Sequence, residues 1–199
     1  MKRLLILLIV LLLSQVCKAT LCDFYNTGDD AAHSTYGNSW KAQSFIPEFS
    51  YDVFSVNLKL YKTGNPGTLT ASIKETDGNG RPIGDDLCNG TLVGTTLTTD
   101  TGGEWREIIF DSPYSLSENT KYSIVVRVEG NSSNIVYWRA DSTSPTYIGG
   151  IALGSSNAGS SWYDMPASDC MFESYNVPEP ATITALGLGL LVLLRKRRL

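Results

Sequence analysis

Apolar and polar positions along this chain follow three different rules. Residues 4 to 13 are an unbroken apolar run, Leu4 to Leu13, preceded by Lys2 and Arg3. From Lys41 to Tyr175 apolar residues recur at every second position, between clusters of turn residues. Residues 181 to 194 are again continuously apolar or small, and Arg195, Lys196, Arg197 and Arg198 follow, before Leu199. Period two is the signature of half-buried strands. Val56, Leu58 and Leu60, with Phe54, are expected on one face, and Ser55, Asn57, Lys59 and Tyr61 on the other. Tyr122, Ile124, Val126 and Val128 alternate in the same way with Ser123, Val125, Arg127 and Glu129.

Further strands are expected near Leu69–Ile73, Thr91–Leu97, Trp105–Phe110, Ile135–Arg139, Tyr147–Ala152 and Cys170–Tyr175. Turns are expected at Gly64–Gly67 and Asp77–Pro82. No stretch between the two apolar runs carries a helical stripe, so crossover helices, and with them a parallel sheet, are excluded. The expected fold is all-β: an antiparallel β-sandwich, jelly-roll-like, flanked by an N-terminal signal peptide and a short C-terminal transmembrane helix.

The two ends differ in kind. A basic start, ten apolar residues and a small residue at Ala19 form a secretory signal peptide over residues 1–19, too short to span a bilayer. Neither Cys17 nor Cys22 follows the two small residues that a lipid-modified cysteine requires. At the C-terminus, Pro178-Glu179-Pro180 precedes fourteen apolar or small residues, two of them Gly, and then the basic cluster. Such a segment is weak as a permanent anchor, and its basic end would stay on the cytoplasmic side.

Pro178, Glu179, Pro180 and the terminal Arg195, Lys196, Arg197 and Arg198 resemble the PEP-CTERM sorting signal over residues 177–199. That resemblance implies an exosortase-like membrane enzyme as partner, in a Gram-negative bacterium that makes exopolysaccharide. It also implies anchoring in the membrane before cleavage near the PEP motif, and release to the cell surface, extracellular matrix or biofilm.

Removing both ends leaves one domain, residues 20–176, with a different charge. The chain has 16 Lys and Arg, of which seven lie in the ends, and 20 Asp and Glu, of which one does. Nine bases against 19 acids give −10, where the whole chain has −4. A surface so acidic repels nucleic acid and suits neutral sugars or divalent cations.

Cys22, Cys88 and Cys170 remain in an oxidising compartment, where one disulfide is expected. Cys22–Cys170 is preferred, because terminal strands of a sandwich often lie side by side, with Cys22–Cys88 as the alternative. No cluster has zinc spacing, and no cofactor is expected. Asp77-Gly78-Asn79-Gly80 resembles the start of a calcium loop but lacks the later ligands, so a polar turn is expected. With Asp85 and Asp86 nearby, a structural calcium stays open.

Ser155 to Trp162 resembles an Asp-box, with Asn157 in the Asp place, and predicts a hairpin. His33, the sole histidine, is expected at the surface. Trp40, Trp105 and Trp138 are candidate sugar-stacking residues.

Six blocks together resemble the choice-of-anchor domains, most closely type R. They are Gly37–Phe45, Leu58–Gly67, Asp77–Gly84, Leu116–Tyr122, Asn157–Trp162 and Asp169–Glu173. These are exported sandwich domains with no established chemistry. Catalytic residues are not singled out. The leading expectation is a non-enzymatic protein of the surface or matrix, acting by adhesion or association with exopolysaccharide. A carbohydrate-binding module is the alternative, and a glycoside hydrolase or lyase the third reading. Intact-mass measurement of the exported protein is expected to show loss of residues 181–199, and a mass retaining Ala181 to Leu199 would refute cleavage.

Overall fold

The computed structural model describes residues 19–177. The expected signal peptide up to Lys18, the PEP motif and the expected transmembrane segment lie outside the described residues. Among those described, no helix is long and apolar enough to cross a membrane.

Residues 21–177 form one unit of antiparallel strands in two sheets. In chain order the strands are β1 (Leu21–Tyr25), β2 (Ala31–Thr35), β3 (Trp40–Phe45), β4 (Tyr51–Thr63), β5 (Thr68–Thr76), β6 (Pro82–Val93) and β7 (Glu104–Leu116). They continue as β8 (Tyr122–Val128), β9 (Ile135–Asp141), β10 (Ala152–Ser155), β11 (Tyr163–Met165), β12 (Asp169–Cys170) and β13 (Phe172–Asn176). One sheet runs β11-β10-β3-β8-β5-β6. The other runs β1-β13-β4-β9-β12, with β7 also paired to β4 and β2 to β9.

The inward faces of both sheets meet in one core. Phe45, Leu69, Ile73, Ile124 and Val126 come from one sheet, and Val56, Leu58, Leu60, Trp138 and Phe172 from the other. β8 shows why the sequence forms these strands. Four of its seven residues are Ile or Val, whose branched side chains suit a pleated surface, and all but Arg127 are buried.

The seven-stranded sheet is not a simple ladder. β4 pairs with β7 along one edge. Its other edge is shared by β13 up to Leu58 and by β9 from Leu60 onward. The segment Asp169–Phe172 wedges between them, where Met171 N–H donates to Arg139 O at 2.9 Å and Met171 O accepts the Trp138 indole N–H at 2.7 Å. Trp138 is therefore a fully buried plug of the core.

Four sequence expectations change. The strand expected near Thr91–Leu97 is the end of the long β6, which stops at Val93, and a 3-10 turn over Gly94–Thr96 follows. A bulge between Val53 and Ser55 breaks the alternation, so Val53 is fully buried and Phe54 only half-buried. The segment before Ala152 is a loop, not a strand: Tyr147 N–H donates to Asp169 Oδ2, and Gly150 lies so close to Ser44 O that a Cβ would sit 2.0 Å away. The strand β2 forms in a polar stretch without an apolar alternation, held as a neighbour of β9.

The expected Cys22–Cys170 disulfide is absent, as is Cys22–Cys88. First and last strands do lie side by side, but Leu21 faces Tyr175 and Tyr25 faces Phe172. Cys170 is thus about five residues, roughly 17 Å, along the ladder from the partner of Cys22, while a disulfide needs Cα atoms within about 7 Å. Cys88 lies in β6 of the other sheet, buried in the core.

Truncating the wedge tests its importance. Phe172→Ala is expected to cost about 3–5 kcal/mol in urea unfolding. Ile148→Ala, on a fully exposed loop position, is expected to stay within about 0.5 kcal/mol. Equal effects would contradict the assignment of the core.

Candidate functional site

The outer face of the six-stranded sheet is not uniformly polar. Ala42 of β3, Val125 of β8 and Leu153 of β10 point away from the main core yet are fully buried, covered by Trp40, Ile151 and Trp162. Two aromatic rings on a sheet face, each half-buried, make this the candidate binding site.

Local structure fixes both rings. The Trp40 indole N–H donates to Gly37 O at 3.0 Å. Trp162 closes the hairpin between β10 and β11, which forms as the Asp-box pattern predicts. Ser155 Oγ accepts Gly159 N–H at 2.9 Å, and Asn157 Oδ1 accepts Ser161 N–H at 2.9 Å, so Asn157 does the work of the usual Asp. Gly159 has φ +80°, and a Cβ there would lie 2.7 Å from the Trp40 ring. Only glycine lets the hairpin approach Trp40 this closely.

Trp40 separates two open depressions. One, about 310 Å³, is lined by Asn38, Thr68, Thr70, Arg127 and Glu129 with Trp40. The other, about 280 Å³, is lined by Lys74, Pro82, Ile83, Ser160 and Trp162 with Trp40. Each is near the lower end of small-molecule sites, about 300–1,000 Å³.

The Arg127 guanidinium lies 5.5 Å from the Trp40 ring centroid. It donates to both oxygens of Asp86, Nη1 to Oδ1 at 3.1 Å and Nη2 to Oδ2. Lys74 Nζ sits 3.3 Å from the same carboxylate and donates to Gly84 O. Burial pulls the Asp86 carboxyl upward, but the Arg127 hydrogen bonds and the Arg127 and Lys74 charges hold it below its ordinary range. With Glu129, which lines the same depression as Arg127, two acids balance the two bases, and the groove offers aromatic faces, hydroxyls and amides. That combination stacks and hydrogen-bonds an uncharged ring compound such as a sugar.

The structure sorts the three tryptophans picked from sequence. Trp40 is at the groove. Trp105 is half-buried on β7, opposite Lys59 in the other sheet. Trp138 is enclosed in the core and cannot stack on a ligand. Sequence reasoning missed Arg127, Thr70 and Asp86 beside Trp40, because strand pairing across β3, β8, β5 and β6 brings them together, and it missed Asn38, two residues before Trp40.

The Asp77 turn forms as a polar turn: Asp77 Oδ1 accepts Asn79 N–H at 2.8 Å and Arg81 N–H at 2.9 Å. With Asp86 engaged by Arg127 and Lys74, these carboxylates do not converge. No group of three His, Cys, Asp or Glu placed to hold a metal occurs among the described residues.

A second polar constellation lies between the sheets. His33, expected at the surface, is instead half-buried on β2, with Nε2 2.7 Å from Ser168 Oγ. Burial, and then the Lys41 charge, pull its pKa down. Ser168 is only 4% exposed, and its Oγ also meets Ser142 Oγ at 3.1 Å. Its backbone N–H and C=O are engaged by Met165 and Ala152. The pair has nucleophile–base spacing but is closed to a substrate.

Nearby, Tyr147 O–H lies 3.1 Å from each oxygen of Asp23. Burial pushes the Asp23 carboxyl up to about 6, against those hydrogen bonds.

Fold and groove together define an antiparallel β-sandwich with an aromatic depression on one sheet. Its C-terminal residues add the destination: residues 176–198 match the PEP-CTERM protein-sorting motif. The motif marks an exported protein that is anchored in the membrane and then processed by an exosortase. No curated protein matches the chain. Among solved structures, a CocE/NonD family hydrolase from Staphylococcus aureus is similar at 12% identity and TM-score 0.39, over 80% of this chain and 37% of that one. The chain thus spans little more than a third of that protein's length, a likeness too slight to bear on activity.

The raised Asp23 pKa has a defined sign. Between the unfolded value near 3.8 and the folded value of about 6, the folded state binds more protons, so this group's contribution falls as pH rises through that window. Asp23→Asn is expected to raise the melting temperature at pH 7 and to flatten the pH 4–7 slope relative to the parent. An unchanged slope would show that Asp23 titrates normally.

Proposed function

We propose that this chain is an exported, non-enzymatic protein of the cell surface or extracellular matrix, and that it associates with exopolysaccharide through the Trp40 groove. The observation that carries the reading is the pair of fixed, half-buried indoles beside a charge-compensated Arg127, on a domain followed by a PEP-CTERM motif. An acidic domain of −10 holds neutral chains without attracting nucleic acid. The resemblance to choice-of-anchor domains supports the same reading. The same proposal makes the producer a Gram-negative bacterium, whose matrix or biofilm would supply the ligand.

A glycosidase reading finds less support. Such an enzyme needs a carboxylic acid with a raised pKa beside a second carboxylate. Glu107 and Glu173 flank Asn57 on neighbouring strands. Against the upward pull of burial, hydrogen bonds from Asn26, Tyr175 and Asn57 hold Glu173 low, which is wrong for a general acid.

Affinity electrophoresis in gels containing the producer's own polysaccharide tests the groove. Trp40→Ala is expected to weaken apparent binding at least about tenfold, the equivalent of roughly 1.4 kcal/mol. Unchanged migration, with the fold intact by circular dichroism, would remove the groove from the function.

A further inference from the structure

The sheet on the far side of the sandwich carries a surface that the groove does not use. Strand register sets Phe24 of β1, Glu173 of β13, Asn57 of β4 and Glu107 of β7 side by side on four consecutive strands. At about 4.8 Å per strand the row is roughly 14 Å long. Its chain neighbours Tyr25, Phe172, Leu58 and Ile108 point into the core, so the row itself faces outward.

The hydrogen bonding of this row has a direction. Asn26 Nδ2 donates to Glu173 Oε1 at 3.0 Å, Asn57 Nδ2 to Oε2 at 3.0 Å, and Tyr175 O–H to Oε2 at 2.8 Å. Ser55 Oγ donates to Glu107 Oε1 at 2.8 Å. The hydroxyls and one N–H of each amide are thus spent on Glu173 and Glu107. Acceptors predominate in what remains: the second Glu107 oxygen and the amide carbonyls of Asn57 and Asn26, beside the second N–H of each amide. Beside them Phe24 is 50% and Ile109 52% exposed.

A preorganised, acceptor-lined strip with apolar flanks fits a ligand that is rich in donors, uncharged, and apolar on its ring faces. That is the chemistry of a neutral polysaccharide. Glu107 and Glu173 would repel a uronate chain. A lone cation would have to displace the three donors that already hold Glu173.

We propose that the row Phe24–Glu173–Asn57–Glu107 is a second binding surface for neutral polysaccharide, on the sheet opposite the Trp40 groove. One domain then holds two chains and cross-links them. The proposal rests on the reading that the ligand is extracellular polysaccharide, but not on the groove. Two weak sites on one body also raise apparent affinity for a repeating ligand.

The test uses the full chain with three soluble neutral probes: hydroxyethylcellulose, xyloglucan and galactomannan. Affinity electrophoresis reads binding, and clumping of polysaccharide-coated beads reads cross-linking. The variants are Asn57→Ala with Glu107→Ala, Trp40→Ala, and all three together, each checked by thermal melting. The paired variant is expected to bind at least about fivefold more weakly and to lose bead clumping. Trp40→Ala should retain residual binding that the triple variant loses.

Parent-like binding and clumping of the paired variant, in both the Trp40 and Trp40→Ala backgrounds, would overturn the proposal. So would binding abolished by EDTA, which would assign the carboxylates to a cation, or no binding of any probe by the parent. If Trp40→Ala has no effect while the paired variant does, the groove reading fails and this one stands.

Discussion

Insertion of the last strand between the first strand and the long central strand is the constraint on which the sandwich depends. β13 is hydrogen-bonded to β1 on one side and to β4 on the other. Just before it, Met171 is held to Arg139 by its N–H and to the Trp138 indole by its C=O. Phe172 then enters the core, 5.9 Å from Phe45 and 5.4 Å from Tyr147 by ring centroids. Without this segment, β1 has no partner strand, and β4 and β9 diverge around an empty wedge. The contacts join residues some 150 positions apart, exemplified by Asp23 and Ser174. The domain is therefore completed by its most distant pairing, which carries the largest loop-closure cost.

The binding faces depend on this frame in different ways. On the six-stranded sheet, apolar residues that point outward are covered by two indoles instead of a second layer. Gly159 lets the hairpin sit against Trp40, and Asp86 neutralises the guanidinium that stacks there. On the seven-stranded sheet, the row at Asn57 exists because β1, β13, β4 and β7 are neighbours at one level. Between the sheets, polar groups such as His33, Ser168 and Asp23 are closed in by burial and mutual hydrogen bonds.

Much of this was legible in the residue pattern. β8 and most of β4 follow the alternation of Tyr122–Val128 and Val56–Tyr61, and the Asn157 hairpin and the Asp77 turn form as their local chemistry directs. Local hydrogen bonds of turn side chains need no distant partner, which is why short motifs announce them. The misses share the opposite cause. β2 has no apolar period and is ordered only by pairing with β9. Phe54 was displaced by a bulge that alternation cannot show. β1 and β13 adjoin, as terminal strands should, yet Cys170 lies before β13, on β12 beside β9, and so stays away from Cys22 of β1. Trp138 reads like any other tryptophan until the Met171 carbonyl is seen against its indole N–H.

By itself, then, the sequence determined the all-β class, the acidic character of the domain and the sorting motif at its end. Each of these is written in composition, period or contiguous residues. Tertiary structure decided which tryptophan is core and which is surface, that the one histidine is half-buried against Ser168, and which carboxylates stand in line. Those assignments follow from strand order and register between segments far apart in the chain. A shift of a single residue in register would turn every side chain of a strand to its other face.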